Sequence, residues 1–277
     1  MPPNPASKRQ SDLSAFVDDY QLEVDGIKFW TPYWRDELPT VKHPMPKTGP
    51  YKGKGTPPQL LHNLEGYLKT STQRRSNNPE SYRQLMHQLH LGVDCSGFAF
   101  YILELWLEQR KIHLADHLFK PRTDLLADFE NPVYTHPPIV TRELIESQPE
   151  QVPLSTIHNF WGNEPVRLAG VRYLTSEAAT VAVEKVADIE TGDIVAMTGK
   201  DGVPHCVVII GKSGQEIIYA HSGLTPPSKL GGVEYGSVTV IDAQAPINAQ
   251  YWESGLLERM QLGSSSVRRL RVLVNGN

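Results

Sequence analysis

The sequence predicts an α+β fold in which one amphipathic helix packs on a central antiparallel sheet. The first observation behind this is a helix signal that opens at Asp94-Cys95-Ser96-Gly97 and carries Phe98, Tyr101, Ile102, Leu105 and Trp106 at three- and four-residue spacing. The second is the change of character after Gly192-Asp193, where short β-rich runs follow one another between glycine-bearing turns such as Gly211-Lys212-Ser213-Gly214. The third is their order, helices before strands, which separates the two element types along the chain.

Taken in order, residues 1 to about 20 read as a loose arm, and residues 30–58 as a loop crowded with Pro, Gly and Lys. Helical spacing then places Leu60, Leu64, Tyr67 and Leu68 on one stripe, and Tyr82, Leu85 and Leu89 on a second segment after the break at Ser76-Asn77-Asn78-Pro79. The helix starting at Cys95 has an apolar face that must cover something large. Between residues 110 and 187, prolines at 121, 132, 137, 138, 149, 153 and 165 interrupt any long periodic run, so this stretch reads as an insertion of short helices and irregular chain. The β runs expected after it are Ile194–Met197, His205–Ile210, Glu216–His221, Ser237–Ile241 and Val267–Val274. The chain thus divides into an N-terminal region, 1–90, and a domain over 91–277 that contains the insertion.

At 277 residues, with 39% hydrophobic and 21% charged side chains, the chain can build a sizeable core without staples. A net charge of -4 carries no basic footprint for nucleic acid, whose binders present cations to phosphates. Two cysteines, Cys95 and Cys206, make no disulfide framework, so free thiols are expected. No apolar run follows the basic residues of the N-terminus, and no stretch reaches the roughly 18 apolar residues of a membrane span. The expectation is a protein that stays in the cytoplasm or leaves it by a signal-independent route.

Cys95 stands in the first turn of its helix, where unpaired N–H groups and the positive end of the dipole favour an anion. A thiol there, beside an imidazole, is a nucleophile at neutral pH. Asp94 is the expected N-cap, and Ser96 with Gly97 adds little bulk beside the sulfur. His205 heads a β run in which Val207 and Ile209 share its face while Cys206, Val208 and Ile210 take the other, so Cys206 reads as core. The next run ends in Tyr219-Ala220-His221-Ser222-Gly223. If a loop over 211–215 sets Ile210 opposite Glu216, pair numbers sum to 426 and His205 faces His221. His221 then serves as the third group that orients the base.

Four ordered segments together resemble the NlpC-type family of papain-like cell-wall cysteine peptidases: 92–98 (Gly-Val-Asp-Cys-Ser-Gly-Phe), 191–195 (Thr-Gly-Asp-Ile-Val), 204–211 (Pro-His-Cys-Val-Val-Ile-Ile-Gly) and 218–221 (Ile-Tyr-Ala-His). The resemblance implies a papain-like fold, a nucleophilic Cys95, a general base His205 and an orienting His221. It also implies hydrolysis of amide bonds in peptidoglycan stem peptides or muropeptides, often after a γ-D-glutamyl residue, with no metal or cofactor. A tyrosine upstream of the cysteine, with a backbone N–H, is implied to hold the oxyanion. Tyr51, in Gly49-Pro50-Tyr51-Lys52-Gly53, and Tyr82 are the candidates, and Asp94 and Ser96 flank the same position.

Three other readings stand beside this one. A thiol acyltransferase or a protein deamidase would use the same nucleophile and base, with the insertion excluding water from the acyl-enzyme. A binding module would keep the fold without turnover. A zinc site of Cys95, His205 and His221 would lack the close ligand pairs that usually mark one.

Overall fold

The computed structural model describes residues 13–35, 53–71, 78–130, 141–161, 169–224, 230–253, 256 and 260–274. The chain opens with a short helix, α1 (13–18), and a hairpin of β1 (Gln21–Val24) and β2 (Ile27–Trp30), followed by α2 (Pro57–Thr70), α3 (Pro79–Gln88) and α4 (Cys95–Glu108). The prolines that end the loops also start α2 and α3, where a missing N–H costs nothing, and Asn78 caps α3 by accepting from the Ser81 N–H at 2.9 Å. Leu13, Val17 and Tyr20 are fully buried, so the expected loose arm is anchored from residue 13 onward. Its reason is an i, i+4 apolar pair followed by Tyr20, whose ring packs 5.4 Å from Phe98 and whose hydroxyl donates to the Gly55 carbonyl.

A two-stranded pair, β3 (Phe119–Pro121) and β4 (Gln151–Pro153), and short helices over Arg122–Glu130, Arg142–Glu146, Leu154–Trp161 and Val171–Leu174 make up most of the expected insertion. Then come β5 (Thr180–Val183), β6 (Ile194–Gly199), β7 (Pro204–Ser213), β8 (Glu216–Gly223), β9 (Gly232–Thr239), β10 (Tyr251–Trp252) and β11 (Met260–Leu270). They form one curled sheet in the order β10-β9-β8-β7-β6-β11-β5, antiparallel at every pairing. The architecture is α+β. Strand β5 pairs with the last strand, β11, so residues 180–183 belong to the sheet rather than to the insertion. The last run also differs from expectation, since Arg271–Val274 is a helical turn after β11 and Ile241 is exposed beyond β9.

Both faces of the sheet are covered. Cys206, Val208, Ile210, Ala220 and Val233 join the core that holds α4 and the N-terminal helices, while Val207, Ile209, Ile217, Tyr219 and Val238 pack with Trp252 and Leu256 on the other side. The alternation along β7 is therefore apolar on both faces, and each fully buried large side chain contributes about 1.5–3 kcal/mol. The Thr191-Gly192-Asp193 turn locks helix to sheet. Gly192 has φ +92°, and a Cβ there would collide with the Trp106 ring. Asp193 is fully buried and pairs with Arg269 of β11 at 2.8 and 2.9 Å. Among the described residues no helix is long and apolar enough to cross a membrane.

Candidate active site

The start of α4 is held by a polar knot. Asp94 has extended backbone, and its Oδ1 accepts from the Gly97 N–H at 2.6 Å, the expected N-cap. Cys95 follows as the first helical residue, 7% exposed, so its backbone N–H has no intrahelical acceptor. Val93, just before, is bracketed by bridges to Tyr33 on one side and Lys54 on the other, and its carbonyl accepts from Ser222 Oγ at 2.7 Å. Ser96 is buried and turned away from solvent, donating to Asp94 Oδ1 at 3.0 Å and accepting from Lys54. Gly97 is small for a reason other than substrate access: a Cβ there would lie 2.5 Å from the Gly53 carbonyl oxygen.

His205 is the second residue of β7 and His221 the sixth of β8, both buried. The hairpin that carries them differs from the expected one. β7 continues to Ser213, and the turn is the two residues Gly214-Gln215, with Gly214 at φ +60°. Near the turn, pair numbers sum to 429 (Ser213 with Glu216); that register would put His205 and His221 on opposite faces. Between Ile209 and Gly211 the register shifts by one, and beyond it the pairs Ile209–Tyr219 and Val208–Ala220 sum to 428. This β-bulge returns both histidines to one face, as diagonal neighbours rather than opposite partners.

Continuing that register sets Gly223 opposite His205, and the missing side chain is what lets the rings meet. A Cβ on Gly223 would lie 2.9 Å from His221 Nδ1 and 3.2 Å from His205 Cε1. The imidazoles stand at 89° to each other with His205 Nε2 3.1 Å from His221 Nδ1. On β9, Glu234 pairs directly opposite His221, and its Oε1 lies 3.1 Å from His221 Nε2. These contacts assign the protons. The Glu234 carboxylate can only accept, so His221 carries its proton on Nε2 and accepts at Nδ1 from His205 Nε2–H. His205 Nδ1 is then the ring nitrogen that His221 does not engage.

Burial holds His221 below the ordinary imidazole range; the Glu234 contact opposes this, and the charge of His205 adds to it. The Cys95 thiol is held well below its ordinary range. The largest cause is a hydrogen bond from the Cys206 thiol, against the opposing effect of burial; the charge of His205, its hydrogen bond and the Lys54 cation follow. Cys206 is pushed the other way, by that same contact and by burial, and stays a thiol. It is core, as expected, but it also touches the backbone of Cys95, with Sγ 3.6 Å from the Cys95 carbonyl.

Of the two tyrosines expected near the sulfur, Tyr51 lies outside the described residues, and Tyr82 is stacked on Phe29 at 5.1 Å with its hydroxyl donating to Asp25 at 3.0 Å. The phenol that feels the charge of Cys95 is Tyr33, whose ionisation is pushed up by burial, then by Cys95 and Asp94. Its context, Pro32-Tyr33-Trp34, is a second Pro-Tyr pair besides Pro50-Tyr51, and the sequence reading did not single it out. Glu234, Gly223 and Lys54 were likewise not singled out. No family model, curated protein or solved structure matches this chain.

Proposed function

We propose that the chain is a papain-like cysteine hydrolase that cleaves amide bonds, with Cys95 as nucleophile and His205 as general base. One observation carries the reading: His205, His221 and Glu234 follow one another at 3.1 Å each, and the charge of His205 acts on a Cys95 thiol at the start of a helix. Each link has a chemical purpose. The helix start and the imidazole favour the thiolate, and the two outer groups fix which nitrogen of His205 faces the sulfur.

In this mechanism the Cys95 thiolate attacks the carbonyl carbon, and the resulting oxyanion is met by the Cys95 backbone N–H and the Tyr33 hydroxyl. His205, protonated at Nδ1, gives that proton to the leaving nitrogen as the C–N bond breaks. Water then attacks the thioester while His205 takes its proton, releasing the carboxylate and restoring the thiolate. The substrate class, peptidoglycan stem peptides, rests on the resemblance of the four sequence segments.

The test is incubation of the purified chain with defined muropeptides and mass spectrometry of the products. A mass gain of one water with a new free amine is expected from the wild type and is absent from Cys95→Ala and His205→Ala. Undiminished cleavage by Cys95→Ala sinks the mechanism. Cleavage absent from muropeptides but present on another amide sinks only the substrate class.

A further inference from the structure

Lys54 is a cation buried to 8% exposure, and an ammonium taken out of water needs compensation at each of its donors. It has three acceptors: Asp94 Oδ1 at 2.9 Å, Ser96 Oγ at 2.5 Å and the Ala169 carbonyl at 2.9 Å. Two of these belong to the residues on either side of Cys95, and the third to the insertion. The segment bearing Lys54 lies along the helix start, with the Gly53 carbonyl accepting from the Asp94 N–H at 2.8 Å and Lys54 bridging Val93. Gly97 is the residue that permits this approach, since a Cβ there would also come within 3.0 Å of Lys54 Cδ.

The arrangement answers a conflict built into the Asp-Cys pair. A carboxylate is a good cap for the helix, but its negative charge beside Cys95 opposes a thiolate. The charge of Cys95 disfavours the Asp94 anion, like charges repelling in both directions, and Lys54 favours both anions. A purely structural contact at this place would be served as well or better by apolar packing, because buried ion pairs seldom repay their desolvation.

We propose that Lys54 is a positioning residue for Cys95: it neutralises the carboxylate that caps the nucleophile helix and ties the insertion backbone at Ala169 to that helix start. This rests on Cys95 being the nucleophile. Its consequence is that the cap keeps its geometry while its charge is cancelled, so His205 is not the only cation acting on the sulfur.

The test titrates Cys95 in the full chain without any peptidoglycan, from the rate of iodoacetamide alkylation between pH 4 and pH 9, with mass spectrometry locating the label. Lys54→Met is expected to move the midpoint up by roughly one unit, so alkylation at mildly acidic pH falls about ten-fold. Asp94→Asn, which leaves Lys54 without a carboxylate to offset, is expected to move it down. The double variant Lys54→Met/Asp94→Asn should return it close to the wild-type value, because the two opposed charge effects cancel, whereas loss of packing at the cap would not reverse sign between the two single variants. A folded Lys54→Met with the wild-type midpoint overturns the proposal. Should Lys54→Met not fold, Asp94→Asn and the double variant decide: equal midpoints in those two overturn it, and a lower midpoint in Asp94→Asn supports it. An ordinary thiol midpoint in the wild type overturns instead the reading of Cys95 as an activated nucleophile.

Discussion

The two halves of the candidate site are held in opposite ways. At the start of α4, Cys95 is fixed by short-range polar contacts that converge on Asp94, from Lys54, Ser96 and the Gly97 N–H. In the β7–β8 hairpin His205 meets His221, and its place is decided by register, by the bulge at Ile210 and by the gap at Gly223. The first half fails gradually when a contact is lost, because several others remain. The second fails abruptly, because a side-chain period of two leaves a strand residue on one face or the other.

The largest effect that breaks this comparison is expected at Gly223. Its backbone is not in the left-handed region, so Gly223→Ala adds a methyl without backbone strain, yet that methyl occupies the space between the two rings. Loss of roughly 10²-fold in kcat, with a thermal midpoint within a few degrees of wild type, is the expected outcome. Unchanged turnover in the steady-state assay would show that the His205–His221 contact is dispensable.

Next comes Glu234, the outermost link, which is 38% exposed and therefore supports His221 less firmly than a buried carboxylate would. Glu234→Leu should lower kcat roughly ten-fold. It should also shift the acid limb of the pH profile in a defined direction. His221 must be neutral at Nδ1 to accept from His205, and Glu234 is the contact that raises its proton affinity. Without Glu234 the imidazole stays neutral to lower pH, so the acid limb moves down while the plateau falls. A limb that moves up contradicts the tautomer assigned here.

The same depressed histidine has a consequence for stability. Since the folded protein binds the His221 proton more weakly than the unfolded chain does, the unfolded state takes up more protons as pH falls below about 6.5. His221 costs no stability above that pH and destabilises the fold progressively below it. Thermal melts between pH 5 and pH 7.5 should show a midpoint that falls on acidification by less in His221→Gln than in wild type.

The smallest effect is expected at Cys206. Cys206→Ala removes one thiol contact on Cys95 and opens a small cavity, but leaves the base and the helix start in place. Turnover should drop only a few-fold at neutral pH, with the alkylation midpoint of Cys95 rising. A loss as large as that of Gly223→Ala would mean that the sulfur-to-sulfur contact outweighs the imidazole.

Much of this was legible in sequence because it is local. The α4 helix, its Asp94 cap, the strands around His205 and His221 and the core position of Cys206 all follow from periodicity, capping chemistry and turn signals within about ten residues. The expected facing of His205 and His221 was read from a loop and register that the hairpin does not have. A longer loop and a two-residue turn with a bulge share the same parity, and parity alone decides the face.

What only the tertiary structure decided is what reaches this site from far along the chain. Tyr33, Lys54 and Glu234 come from a β-hairpin exit, a glycine-rich loop and the next strand, at sequence distances where no pattern constrains which side chains meet. Their meeting depends on long-range packing of the loops against Val93 and of β9 against β8. The sequence by itself determined that Cys95 would sit at the positive end of a helix and that two histidines would follow on strands. The tertiary fold decided which nitrogen of His205 meets His221 and which cation reaches the cap, because both depend on contacts closed between segments far apart in the chain.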